Sequence, residues 1–177
     1  LIWAGDQIMR FWLEMGLAAA INSAISLGFV GVGHTHNDIA GEFGIAWWKR
    51  NKELYMRGTE FSAFTAVMRT HEAKGHSGWT WDSDEETLQH FGKYSRILAA
   101  LKPYNKKALQ EYQDLGVPLV RHPYLHYEED LTFHQKKPRS LQYEYLFGRD
   151  LFVAPVYIEE KTERKLYLPE DDWVHLW

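Results

Sequence analysis

The sequence predicts an α/β fold in which part of a (β/α) barrel is followed by an all-β module. The first observation is a rhythm. Three polar clusters, Trp3-Ala4-Gly5-Asp6-Gln7, Gly33-His34-Thr35-His36-Asn37-Asp38 and Met68-Arg69-Thr70-His71-Glu72, set Asp6, Asp38 and His71 successively 32 and 33 residues apart. That is close to the length of one strand plus its crossover helix. The second observation is position: each cluster follows an apolar, strand-like segment, so the fold can bring three distant polar groups to the rim where barrel enzymes keep their chemistry. The third is a change of pattern after Gly116-Val117-Pro118, where helical periodicity gives way to short apolar runs between polar turns.

The chain opens on a strand end. Leu13, Leu17, Ala20, Ala24 and Leu27 then recur at helical spacing, which predicts a helix over residues 13–27 whose small residues allow close approach to a sheet. Residues 29–32 suit a short buried strand, with the histidine-containing cluster as its loop. A second helix is expected over 48–64, carrying Leu54, Phe61 and Phe64 among polar residues, and a strand over 66–69. Residues 75–82 form a loop rich in Gly, His and Trp. Ser83 precedes Glu86 by three positions, the capping-box pattern, and Glu85 adds charge that suits the helix dipole. Leu88, Phe91, Tyr94, Ile97, Leu98 and Leu101 carry that helix on, Pro103 interrupts or restarts it, and Gly116 ends it. Residues 151–156, 165–168 and 173–177 read as strands of the closing module. The expected division is 1–116 and 117–177, each incomplete, because both ends of the chain read as cuts through a longer protein.

Composition narrows the function classes. An aromatic content of 15%, with eight Trp and ten Tyr, suits stacking on sugar rings and equally an ordinary aromatic core. The formal charge of -4, without a basic patch interleaved with aromatics, argues against nucleic acid. Lys49-Arg50 and Lys136-Lys137 are short runs of the kind found on solvated faces. The absence of Cys removes disulfides, thiolate catalysis and cysteine metal sites, and a cytoplasmic location is the expectation. No apolar run has membrane length and no signal peptide is visible, so no membrane partner is expected. A homo-oligomer stays open.

These segments resemble the second half of the catalytic domain of glycoside hydrolase family 31, the retaining α-glucosidase and α-xylosidase group, and within it the bacterial sulfoquinovosidase branch. The likeness runs from Trp3-Ala4-Gly5-Asp6-Gln7 through Asn37-Asp38-Ile39-Ala40-Gly41, Met68-Arg69-Thr70-His71-Glu72 and Gly116-Val117-Pro118-Leu119-Val120-Arg121 to Asp150-Leu151-Phe152-Val153-Ala154-Pro155-Val156. The resemblance implies the carboxyl-terminal portion of a (β/α)8 TIM barrel followed by part of an all-β sandwich-like domain. It also implies a carbohydrate or glycoside substrate, no cofactor, and an upstream remainder of the catalytic domain that holds the Asp nucleophile.

Read from the residues alone, Asp6 is a turn or N-cap aspartate. The resemblance makes it the general acid/base, which must protonate the leaving oxygen and then deprotonate water. Trp3 beside it is a candidate substrate-binding residue and is expected to help keep the acid form by limiting solvation. The resemblance assigns Asp38 to sugar hydroxyls, His71 to the same sugar, and Arg69 to bracing the carboxylates. His34, His36 and Asp38 also have the spacing of a weak metal site; the expectation is nevertheless no metal. Glu42 is a candidate specificity position, because the sulfoquinovosidase branch carries Gly-Gly-Tyr where this chain has Ala40-Gly41-Glu42. A carboxylate there would repel a sulfonate. The expected activity is therefore hydrolysis of terminal α-linked glucose-like residues, with sulfoquinovoside hydrolysis as the alternative. A non-catalytic carbohydrate-binding or interaction protein is the alternative of another class.

Overall fold

Three chain passes running side by side in one direction frame the polar clusters. β1 (Ile2–Trp3) pairs in parallel with β2 (Thr35–His36), Ile2 opposite Thr35 and Trp3 opposite His36. Asp38 in turn bridges in parallel to Arg69. Parallel neighbours require crossover connections, and helices supply them here. The computed structural model describes residues 1–44, 49–71, 78–134 and 142–176. Trp48, Glu72, residues 75–77, Lys136-Lys137 and Trp177 lie outside the described residues.

α1 (Leu17–Phe29) buries Leu17, Ala18, Ala20, Ile21, Ala24 and Ile25, and the small side chains let it pack directly on the sheet. It starts later than its periodicity predicts. Residues 9–16 fold back instead: Leu17 N donates to Arg10 O at 2.8 Å, and the Arg10 carbonyl leaves no room for a side chain at Gly16. The strand expected over 29–32 is absent: α1 ends at Phe29 and a turn follows it. Phe29 and Val30 are 52% and 73% exposed, and Gly31 turns the chain at φ 82. Backbone pairing decides where the strand falls, since Ile2 N donates to His34 O at 3.0 Å and Ala4 N to His36 O at 2.9 Å.

α2 (Lys52–Ser62) is capped by Asn51, whose side chain accepts from Leu54 N at 2.8 Å. The strand expected over 66–69 contributes only the Arg69 bridge. α3 (Glu85–Ala100) begins one residue away from the expected cap. Asp84, not Ser83, accepts from Thr87 N at 2.8 Å, while Ser83 Oγ accepts from Thr80 N at 2.8 Å and closes the preceding turn. Lys52 reaches across to Asp84 at 2.6 Å and ties α2 to α3. α4 (Lys102–Leu115) restarts at Pro103 and ends at Gly116, φ 73, the left-handed position glycine adopts without a Cβ penalty.

Beyond Gly116, β3 (Val120–Arg121), β4 (Tyr145–Phe147) and β5 (Leu151–Val153) form an antiparallel sheet in that order. The strands expected over 165–168 and 173–177 are irregular in their described residues. Side chains hold them instead: Tyr167 Oη donates to Asp130 Oδ2 at 2.7 Å, and Trp173 Nε1 to Pro169 O at 3.0 Å. Leu119, Val120, Tyr145 and Phe147 join the apolar core of α1 and α2, and Tyr145 Oη donates to Phe64 O at 2.9 Å. Among the described residues no helix is long and apolar enough to cross a membrane.

Candidate active site

Gly5 turns the chain at φ 84 as β1 ends, which leaves Asp6 exposed on the rim. The chain after Asp6 is stitched to the loop that follows β2. Gln7 O accepts from Glu42 N at 3.0 Å and from Phe43 N at 2.9 Å, and Phe43 O accepts from Met9 N at 3.1 Å. In that second loop Asp38 is 1% exposed. It accepts from Trp3 Nε1 at 3.0 Å and faces Arg69 Nε at 3.4 Å and His71 Nδ1 at 3.8 Å.

Trp3 therefore engages Asp38, where the sequence reading pairs it with Asp6. Its indole also faces the Arg69 guanidinium at 5.3 Å and meets the His71 ring edge-on at 6.4 Å. An aromatic face and a carboxylate thus fix one guanidinium from two sides. His71 Nδ1 lies 3.1 Å from Glu42 Oε2 and 3.1 Å from Arg69 Nη2. Burial pushes the Glu42 carboxyl up from its ordinary value; His71 opposes this, while Asp6, within hydrogen-bonding reach, and Asp38 add to it. The contacts run from Asp6 through Glu42 and His71 to Asp38, so the expected site residues form one connected set.

The weak metal pattern comes apart. His34 packs edge-on against Tyr112, ring centroids 4.9 Å apart, and His36 faces Arg69 Nη1 at 3.5 Å. Burial is the largest cause lowering the pKa of both rings. The donor atoms that converge belong to Asp38, Glu42 and His71, all within 4.8 Å of one another. Arg69, in contact with both Asp38 and His71, already supplies positive charge there, so a cation would have to displace or oppose it.

Arg50 corrects the sequence reading more sharply. It was expected on a solvated face, and it is 2% exposed. Its Nη1 donates to Ile39 O at 3.2 Å and to Gly41 O at 2.9 Å, and its Nε to Trp79 O at 2.8 Å. Those bonds hold the loop between Asp38 and Glu42, where Ala40 takes φ 60 and Gly41 φ 80. Gly58 on α2 presses against the same turn: a Cβ there would meet Ala40 N at 2.6 Å. A glycine in mid-helix was the available signal for this close approach.

Residues 1–107 match the Glycosyl hydrolases family 31 TIM-barrel domain, and residues 116–177 match the Glycosyl hydrolase family 31 C-terminal domain. The chain belongs to glycosyl hydrolase family 31. It is similar to the sulfoquinovosidase of Escherichia coli (strain K12), at 43% identity over 100% of this chain and 26% of that protein. Alpha-glucosidase 2 of Bacillus thermoamyloliquefaciens is 28% identical over 99% of this chain and 21% of that protein. Among solved structures, a GH31 family sulfoquinovosidase from E. rectale in complex with the aza-sugar inhibitor IFGSQ superposes with a TM-score of 0.90 at 41% identity, over 100% of this chain and 26% of that one. The chain spans about a quarter of the length of the sulfoquinovosidases it matches.

Proposed function

We propose that the full-length protein hydrolyses α-glycosides with retention, that Asp6 is its general acid/base, and that sulfoquinovosides are preferred to plain glucosides. The observation that carries the reaction class is the connected set Asp6, Glu42, His71 and Asp38 on three neighbouring parallel chain passes. Asp6 protonates the glycosidic oxygen while an upstream Asp attacks C1 from the opposite face. Asp6 then takes a proton from the water that releases the sugar. Such pairs of carboxyls stand about 5–5.5 Å apart. Asp38 accepts from sugar hydroxyls, and Arg69 and Trp3 hold it in place. His71 lies against the same sugar, and no cofactor enters the scheme. A misplaced hydroxyl would leave the Asp38 carboxylate short of a partner, which discriminates epimers.

The substrate preference rests on the 43% identity to a sulfoquinovosidase against 28% to an alpha-glucosidase. It reverses the order that Glu42 alone suggests. The pairing of Glu42 with His71 weakens the repulsion on which that order depended.

Asp6→Asn in the full-length protein tests the reading. Paired α-sulfoquinovosides and α-glucosides, each with a poor and an activated aryl leaving group, are compared in pre-steady-state glycosylation. The variant should lose far more rate on the poor leaving group, because an acidic phenol departs without a proton. Wild-type should favour the sulfoquinovoside of each pair. Equal losses on both leaving groups with folding intact would remove Asp6 from the acid role. Binding without turnover by wild-type would leave a carbohydrate-binding protein.

A further inference from the structure

A neutral imidazole carries one hydrogen, and which of its two nitrogens holds it decides whether His71 gives the sugar a hydrogen bond or takes one. Among the described residues, the polar contacts of that ring all fall on Nδ1. Arg69 Nη2 lies 3.1 Å from Nδ1 in hydrogen-bond geometry, and Glu42 Oε2 lies 3.1 Å from it as well, so a cation and a carboxylate contend for one atom. The geometry favours the cation. A guanidinium has donors only, whereas Glu42 Oε2, though enclosed, accepts no hydrogen bond among the described residues. Asp38 Oδ2 stands off at 3.8 Å and takes the Trp3 indole N–H instead. The rest of the Arg69 guanidinium is engaged, with Nε 3.4 Å from Asp38 Oδ1, Nη1 3.5 Å from His36 Nε2 and the Trp3 ring 5.3 Å away. Its aim at Nδ1 is therefore fixed.

We propose that Arg69 is a positioning residue that holds His71, against the pull of Glu42, as the tautomer with hydrogen on Nε2, and so makes it a hydrogen-bond donor toward the sugar. This rests on the reading that His71 lies against the sugar. A hydroxyl that gives its hydrogen to the Asp38 carboxylate has only lone pairs left for a second partner, so a donor is what the histidine beside Asp38 must supply. Arg69 thus makes the two complementary. Without it, the Glu42 carboxylate draws the hydrogen to Nδ1 and leaves Nε2 bare, and Asp38 and His71 then compete as acceptors for the same hydroxyl hydrogen.

The experiment is the imidazole nitrogen–proton NMR spectrum of the full-length protein carrying isotope-labelled histidine, recorded well above the ordinary imidazole pKa of about 6.5, with His71→Asn identifying the signals. Wild-type should show hydrogen on Nε2 alone. Hydrogen on Nδ1, whether in place of Nε2 or on both, overturns the proposal, and that result needs no variant to fold. Arg69→Met should move the hydrogen to Nδ1 and lower kcat/KM about tenfold or more. Adding Glu42→Leu should weaken the move, which a general loss of structure would not do. An Arg69→Met ring that keeps its hydrogen on Nε2, or a move indifferent to Glu42, also overturns the proposal. Saturating sulfoquinovose or glucose separates the two failures: a wild-type Nε2–H signal that neither sugar shifts removes His71 from the sugar, while the tautomer set by Arg69 stands.

Discussion

Gly58 shows how packing overrules propensity at a single residue. In mid-helix, alanine is favoured over glycine by about 1 kcal/mol. An added Cβ would nevertheless come within 2.6 Å of the Ala40 backbone, and forced overpacking costs about 1–3 kcal/mol. Gly58→Ala should therefore lower the melting temperature and, by moving the turn between Asp38 and Glu42, reduce kcat/KM. A variant that melts higher with unchanged kinetics would show that the turn yields freely. Asp6, Asp38 and His71 were legible as a set because equal spacing along the chain becomes adjacency in a parallel sheet. Arg50 was not legible. A Lys-Arg pair reads as solvated, and only the folded chain shows three carbonyls converging on that guanidinium. The partner of Trp3 was missed for a similar reason, since Asp38 lies far away in sequence.

At the scale of elements, helices were easier to read than strands. The helical stretches before and after Pro103 are visible in apolar periodicity, whereas β2 has two residues, too few to carry a period. Its position comes from pairing with β1. The start of α3 was misplaced by one residue because Ser83 and Asp84 are both competent caps, and the turn at Thr80 engages the serine. Asp84→Ala should consequently lower the melting temperature by several degrees, while Ser83→Ala lowers it less. Equal effects would contradict the assignment of the cap. The Lys52 hydrogen bond, followed by those from Thr87, lowers the Asp84 pKa from 3.8 to about 2. A carboxyl lowered in the folded state contributes stability above its unfolded value. The Asp84 contribution is therefore full above 3.8, and it fades as pH falls through about 2.

For the whole molecule, the joint between α4 and the antiparallel sheet is built on Arg121. Its side chain is fully buried and donates to Pro118 O at 2.7 Å and Glu111 Oε2 at 2.9 Å, with His126 Nε2 also 2.9 Å away. Burial lowers the His126 pKa below 6.5, Arg121 and Arg149 add to this, and Glu111 and Asp150 oppose it. Below 6.5 the unfolded chain takes a proton more readily than the folded one, so this contribution to stability is full above that value and is lost as pH falls beneath it. Thermal melts at about pH 7.5 and about pH 5.5 should show a smaller drop for His126→Gln than for wild-type; an equal drop would place the acid sensitivity elsewhere. The bonds from Glu42 and Phe43 to Gln7 O have a consequence of another kind. On the proposed function, loop 40–43 would face the sugar while it braces the turn that bears Asp6, so a change of sugar preference made in this loop would also move the proposed acid/base residue.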